Sequence, residues 1–357
     1  VSCWHRATLG IAYRDVPRPV DNPPNPWEST HVEYLPEHEL PLASLQVYEE
    51  EARSIVVHND SPDVPFRWSV NPYRGCFHGC AYCYARPSHE LLGFGAGTDF
   101  ERRIVVKRNA PELLHARLMA PSWRGEMIAF SGVTDCYQPL EASYGLTRRM
   151  LEVCVAFKNP VSVITKGALV ERDVDLLARL SSEARCGVYL SIPFADENMG
   201  RAIEPYAASI SRRFEALRVL SDAGIRTGVS ISPVIPGLND AQIPEILARA
   251  REAGATLAFM IMLRLPTEVR PVFVDRLRAT LPLRAEHVLH AIRDVRGGKL
   301  NDARFGERMH GEGPRWQAIE ALFAAHHKRL GFVDASRFDH EGTTFRRPNP
   351  QLGLFDE

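Results

Sequence analysis

From Phe66 onward the chain alternates short apolar runs with longer segments whose apolar residues recur every three or four positions. The short runs are RWSV (67–70), EMIAFSG (126–132), VSVIT (161–165), CGVYLSI (186–192), RTGVSIS (226–232) and TLAFMIM (256–262). Several are apolar without alternation, the pattern of strands buried on both faces. The segments between them, 110–120, 147–157, 170–180, 211–224 and 241–254, have helical periodicity. Asn109 stands where an N-cap belongs, and Gly224 and Gly254 stand where glycine ends a helix. Strand followed by helix, six times over, predicts an α/β fold built on a parallel sheet with right-handed crossovers. Six units suit a partial barrel or an open doubly wound sheet; a closed eight-fold barrel needs strands that this pattern does not supply.

The flanks read differently. Residues 1–65 are rich in Pro, Asn, Asp and Glu and predict an extended N-terminal arm. The strand–helix core spans 66–263, a mostly helical extension 264–331, and a tail 332–357. Lys plus Arg is 43 and Asp plus Glu is 44, giving a net charge of -1, which excludes polyanion binding by bulk charge but leaves local patches open. No apolar run approaches the roughly 18 residues of a membrane span, and no secretion signal follows Val1. The expectation is a cytoplasmic protein that makes no membrane contact. Only five of the cations are Lys (107, 158, 166, 299 and 328), so a Lys that ends an apolar strand, as Lys166 does, stands out.

Seven cysteines lie at 3, 76, 80, 83, 136, 154 and 186, three of them within eight residues. An odd count with one tight cluster argues for metal ligation over a disulfide framework. In NPYRGCFHGCAYCYARPSHE (71–90), Cys76, Cys80 and Cys83 are spaced C-x3-C-x2-C. Three thiolates on a glycine-bearing loop can hold three corners of a [4Fe–4S] cluster and leave one iron open. A zinc site with His78 or His89 as fourth ligand is the alternative, although zinc loops favour C-x2-C pairs. Cys154 and Cys186, within apolar segments, read as core thiols.

C-x3-C-x-aromatic-C after the first strand resembles the signature of the radical S-adenosylmethionine (SAM) superfamily, and the six units behind it resemble that family's partial (βα)6 TIM-like barrel. The resemblance implies a [4Fe–4S] cluster on Cys76, Cys80 and Cys83 with SAM on the open iron. It further implies an external one-electron reductant of flavodoxin or ferredoxin type, and cleavage of SAM to a 5′-deoxyadenosyl radical. Tyr82 would lie against the adenine. Within the superfamily, SGVTD (131–135), ITKG (164–167), LSIPF (190–194) and SISPVIPGLND (230–240) are similar, in matching order, to motifs of the group around spore photoproduct lyase. By that resemblance Thr134 and Asp135 sit near the SAM amino group and Lys166 at its carboxylate. Ser191 and Ser232 approach the ribose or methionine part, and Arg213 lies near substrate. An ammonium wants hydroxyl or carboxylate acceptors and a carboxylate wants a Lys, so the assignments are chemically consistent. One position departs: where that group carries a hydrogen-donating Cys, this chain has Gly132, with Cys136 four residues on.

Two further stretches concern partners. From Arg264 to Arg315 eleven Arg or Lys face seven Asp or Glu, with Phe273 and Phe305 interleaved, a composition that suits phosphate contact or an ordinary solvated face. The tail presents Gln351, Leu352, Leu354 and Phe355 after two prolines, an apolar hook similar to the bacterial sliding-clamp-binding motif. The sequence therefore predicts a radical SAM enzyme, lyase-like and directed at damaged or modified nucleic acid. Modification of RNA, protein or a small metabolite on the same barrel stays open, as does an iron–sulfur redox sensor without turnover.

Overall fold

The computed structural model describes residues 18–20, 45–333 and 342–348, the first three by backbone alone. Cys3 and the hook at Gln351, Leu352, Leu354 and Phe355 lie outside the described residues. The strands, in chain order, are β1 (Arg18–Val20), β2 (Gln46–Glu50), β3 (Val56–His58), β4 (Trp68–Val70), β5 (Tyr73–Arg74) and β6 (Arg103–Lys107). They continue as β7 (Ile128–Phe130), β8 (Val161–Thr165), β9 (Cys186–Ser191), β10 (Arg226–Val234) and β11 (Leu257–Met262). The helices are α1 (Thr98–Arg102), α2 (Ala110–Met119), α3 (Glu141–Tyr144), α4 (Leu146–Ala156), α5 (Val174–Glu183) and α6 (Glu197–Ile203). After them come α7 (Ile210–Asp222), α8 (Ile243–Glu252), α9 (Val269–Thr280), α10 (Pro282–Asp294) and α11 (Gly313–Arg329).

A seven-stranded sheet runs β11-β10-β9-β8-β7-β4-β3, parallel throughout except for β3. From β4 to β11 each core strand pairs with the next core strand in the chain. That sequential order is the winding of a barrel, whereas a doubly wound sheet reverses direction part-way. The sheet does not close, so the fold is a partial barrel. Val163, Val188, Leu190, Val229 and Ile231 are fully buried in its strands. The helices cover it with stripes at helical spacing, such as Leu176, Leu177 and Leu180 of α5 and Ile246, Leu247 and Ala250 of α8. At about 25 cal/mol per Å² of apolar surface removed from water, this packing is the main favourable term in folding.

The observed strands fall within about two residues of the predicted ones, but β7 stops at Phe130, earlier than predicted. Ser131 and Gly132 follow with φ of 147° and 97°, so the chain turns there into the mouth of the barrel. Residues 45–65 take part in the folded body. β2 pairs with β6 in a second sheet of order β1-β2-β6-β5, burying Val47, and β3 adds an antiparallel edge to the main sheet. Asn109 precedes α2 without capping it. Its side-chain amide instead exchanges two 2.9 Å hydrogen bonds with the backbone of Ala52 and fastens this segment to α2.

Two contacts matter later. The first bridges the open edges of the main sheet: the β3–β4 loop meets a loop carried by β11, where Met262 N–H donates to Met309 at 3.0 Å. Asp63 accepts from Gly306 N–H at 2.7 Å and pairs with Arg308, which also donates to Ser61 at 2.6 Å. In the second, residues 342–348 form a strap across the N-terminal ends of β7 and β8. Thr344 donates to Lys158 O at 2.9 Å, Arg346 N–H to Phe157 O at 2.9 Å, and Arg347 to Ala120 O at 2.8 Å. Replacing Asp63 by Ala removes one acceptor that serves both a backbone amide and a guanidinium. Limited trypsin digestion should then cut the arginine-rich 304–308 loop about tenfold faster, with the rest of the barrel equally resistant.

Candidate active site

The three clustered cysteines lie on the loop between β5 and a 3-10 helix, Arg86–Leu92. One side of the loop is held by side chains. Gln138 donates to Gly75 O at 3.1 Å and accepts from Phe77 N–H at 3.0 Å, so its amide acts like a short piece of neighbouring strand. Arg86, fully buried, donates to the carbonyls of Cys80 (2.8 Å), Ala96 (3.1 Å) and Gly97 (2.9 Å) and pairs with Glu101 at 2.5 Å. The other side rests on the segment after α6, where Ala81 N–H donates to Ile203 O at 3.0 Å and Tyr206 N–H to His78 O at 3.2 Å. Gly79 packs into this contact with φ of 66°. A Cβ there would come within 3.0 Å of the Tyr206 ring, so both conformation and space require glycine.

Cys76 and Cys80 are buried, Cys83 is half-buried, and all three are free thiols. Burial pushes Cys80 up to about 12, helped by the Glu204 carboxylate and opposed by Lys166 and Arg213. Cys76 is raised by burial, by Asp135 and by its two cysteine neighbours. Burial thus disfavours the thiolates of all three, which a strong positive centre would favour. Among the described residues, no group of three or more His, Cys, Asp or Glu gathers tightly enough to hold a single metal ion, the arrangement that the zinc alternative needs. Three thiols spread along a glycine-turned loop fit the donor set of a larger cluster.

Two buried carboxylates organise what surrounds the loop. Glu204, 2% exposed, pairs with Arg213 at 2.6 Å, accepts the Tyr82 hydroxyl, and lies 4.0 Å from Lys166 Nζ. Lys166 also lies over the Tyr82 ring, 5.5 Å from its centroid. The structure thus gathers Tyr82, Lys166 and Arg213, three residues picked out by sequence, around one carboxylate that was not. Arg213 is 1% exposed, and its other nitrogens donate to Ala208 O at 2.7 Å and Ser191 O at 3.0 Å. Each of its three nitrogens is engaged within the chain, so it positions Glu204 and β9. Asp135 is the second organiser, with Thr165 Oγ1 at 2.6 Å, Lys166 N–H at 2.7 Å, Tyr137 N–H at 2.9 Å and His78 Nδ1 at 3.4 Å. Burial alone would raise this carboxyl, but His78, the Lys166 amide and Thr165 hold it well below the usual carboxylate range.

The remaining predicted residues lie along the C-terminal ends of the strands. Ser191, buried, donates to Ser232 O at 3.3 Å, and the Ser232 hydroxyl accepts from Ser230 at 2.9 Å. Thr134 is buried, donates to Tyr73 O at 3.2 Å and receives Asn71 Nδ2 on its carbonyl at 2.5 Å. Cys136 is fully buried with its sulfur 3.8 Å from Phe130 O, inside the core rather than at the mouth. Gly132 offers its carbonyl to the Tyr84 hydroxyl at 2.5 Å. Cys154 and Cys186 are buried in the core.

The family model described as Radical SAM superfamily matches residues 70–250, just over half of the chain. The chain belongs to the radical SAM superfamily. Members of that superfamily in general use a [4Fe–4S] cluster and SAM. An uncharacterised protein of Mycobacterium tuberculosis (strain ATCC 25618 / H37Rv) is 36% identical over 213 residues, which is 59% of this chain and 63% of that protein. One from Methanocaldococcus jannaschii is 35% identical over 176 residues, 49% of this chain and 63% of its own. A protein of Pseudomonas phage M6, named a radical SAM Nalpha-GlyT isomerase, is 26% identical over 215 residues, 58% of this chain and 42% of that protein. The matches thus span less than two thirds of the relatives' own length. Among solved structures, spore photoproduct lyase complexed with dinucleoside spore photoproduct superposes with a TM-score of 0.58 at 15% identity, covering 80% of each chain. This radical SAM protein therefore has the fold of spore photoproduct lyase.

Two measurements test the carboxylates. Glu204→Leu leaves the Arg213 guanidinium buried without a counter-charge and should cost about 3–5 kcal/mol, read as a lower urea midpoint. Adding Arg213→Leu should recover most of that loss, whereas a pure packing defect would not recover. Because the Asp135 carboxyl is depressed, its stabilising contribution is complete above the ordinary carboxylate pKa of about 4 and fades as pH falls further. Asp135→Asn should accordingly lower the melting temperature at pH 7 and flatten its decline in acid.

Proposed function

We propose that this chain holds a [4Fe–4S] cluster on Cys76, Cys80 and Cys83, binds SAM beside it, and acts on damaged or modified nucleic acid. The observation that carries the proposal is the convergence of Tyr82, Lys166 and Arg213 on Glu204 against the loop of Cys80. When bound, the cluster supplies the electron for reductive cleavage of SAM, delivered to it by an external reductant. The rest is the work of the chain. Lys166 keeps an ammonium partly open, 4.0 Å from Glu204, free to meet the carboxylate of SAM. Tyr82, fixed at its hydroxyl by Glu204, presents a ring face suited to adenine. Asp135 fixes the Lys166 backbone and the His78 side of the loop, so Lys166 and the cysteines share one support. Thr134, Ser191 and Ser232 bring hydroxyls and carbonyls to the same strand ends for the amino and ribose groups. Apolar strand residues such as Leu190 and Ile231 keep the interior dry, which protects a reactive species from solvent.

The nucleic-acid direction is supported by the basic stretch 264–315 and by the name of a structural neighbour, solved with a dinucleoside spore photoproduct. With Gly132 in place of a cysteine and Cys136 in the core, hydrogen return from a thiol at that position is not available to this chain. The reaction is thus lyase-like in its start and different in its end.

Anaerobically reconstituted protein should be given SAM and a strong reductant, and 5′-deoxyadenosine quantified with and without ultraviolet-irradiated DNA. Product that rises with damaged DNA supports the proposal. Product equal in both samples moves the substrate to RNA, protein or a metabolite, and none in either, with the cluster intact, favours a sensor. Cys80→Ala should lose both the visible cluster absorbance and all cleavage.

A further inference from the structure

At the mouth of the barrel, above the open edge between β3 and β11, four arginines stand close together, and three have partners within the chain. Arg296 donates to the carbonyls of Leu263 at 3.0 Å, Arg308 at 2.8 Å and His310 at 2.5 Å. Arg304 is paired with Asp302 at 2.6 Å, and Arg308 with Asp63. Arg264, the second residue after β11, is the exception. It is half-buried, and among the described residues it forms no ion pair and no hydrogen bond; its guanidinium lies over the Tyr84 ring, 5.7 Å from the centroid. The acid that acts on it, Asp63, is already held by Arg308 and by Gly306 N–H. Burial and the charge of Arg308 both disfavour its cationic form, a penalty that an incoming anion would relieve.

The surroundings suit a ligand with rings as well as charge. Tyr84, Val133 and Phe305 are 52%, 41% and 60% exposed, large apolar surfaces on an otherwise ordinary face. Tyr84 lies under the Arg264 guanidinium and donates to Gly132 O next to Val133, while Arg308, whose charge acts on Arg264, lies 4.2 Å from the Phe305 ring centroid. Tyr84 follows Cys83 directly, so a group anchored here stands beside the cysteine loop.

We propose that Arg264 anchors a phosphate of a single nucleic-acid strand at the open edge of the barrel, with the exposed Tyr84 and Phe305 rings receiving its bases. A planar guanidinium with free donors matches phosphate bidentately, and stacking on exposed rings is tolerant of sequence. This inference rests on the nucleic-acid reading above and assigns to it the residues that meet the strand.

The test uses the full chain, cluster-loaded and anaerobic, and a fluorescein-labelled single-stranded thymidylate oligonucleotide followed by anisotropy over a salt series. Arg264→Gln should weaken binding about tenfold and make the log–log salt slope shallower by about 0.7, the signature of one lost phosphate contact to a single strand. Arg304→Gln, which removes an equal charge already paired with Asp302, should leave affinity within about twofold of the parent. Thymidine 5′-monophosphate should compete, and thymidine should compete far less. Equal losses in the two variants, or no loss in Arg264→Gln, would overturn the anchor while leaving the nucleic-acid reading in place. Thymidine competing as well as its monophosphate would remove the phosphate from the argument. A parent protein that binds no oligonucleotide, or prefers a polyglutamate peptide, would overturn both.

Discussion

Glu204 and Arg213 are withdrawn from water together, and the arrangement of the site follows from that pairing. A buried carboxylate and a buried guanidinium are each costly alone, and a close ion pair with further hydrogen bonds on both offsets much of the cost. Here the extra bonds go to functional places. From Arg213 they reach Ser191 at the end of β9; from Glu204 they reach Tyr82, beside the last cysteine of the loop. The segment that delivers Glu204 also supports the loop from beneath through Ile203 and Tyr206. Loop, strand end and Lys166 are therefore registered against a common ion pair, and displacement of one is felt by the others.

The open sheet supplies the second constraint. Six parallel strands in sequential order leave two edges, and exposed edges invite unwanted pairing. β3 caps one edge with an antiparallel strand, and the loop around Met309 bonds to Met262 at the other. The link through Asp63 and Arg308 brings the two edges together without hydrogen-bonding them as a sheet.

Much of this architecture was legible in the sequence because it is written in local periodicity. β8 matches the predicted run residue for residue, and β9, β10 and β11 match to within two, since each is a short run rich in β-branched and apolar residues set between helical segments. The cysteine spacing picked out the loop, and the motifs at the strand ends picked out Asp135 and Lys166, which the fold brings near it. What escaped was non-local. The strand Gln46–Glu50 is QVYEE, polar at its end, and becomes a strand by pairing with residues more than fifty positions away. Asn109 carries a capping side chain, yet Ala52 claims it. Gln138 lies more than sixty residues from the loop it braces, and Glu204 more than a hundred and twenty from the tyrosine it holds. No spacing rule links such pairs. Arg86 was nearer to hand: a lone arginine three residues past the last cysteine is the sort of group that gathers loop carbonyls.

The strap at 342–348 has a consequence for traffic around the molecule. It crosses the N-terminal ends of β7 and β8, whereas the cysteine loop, Lys166 and Arg264 all sit at the C-terminal ends of their strands. The polypeptide thus passes Pro348 on the side remote from the mouth. A partner gripping the strap would leave the mouth unshadowed, and a substrate filling the mouth would leave the strap within reach. Such a protein can be leashed to a larger assembly with its mouth still accessible, the leash raising its local concentration and adding nothing to the site.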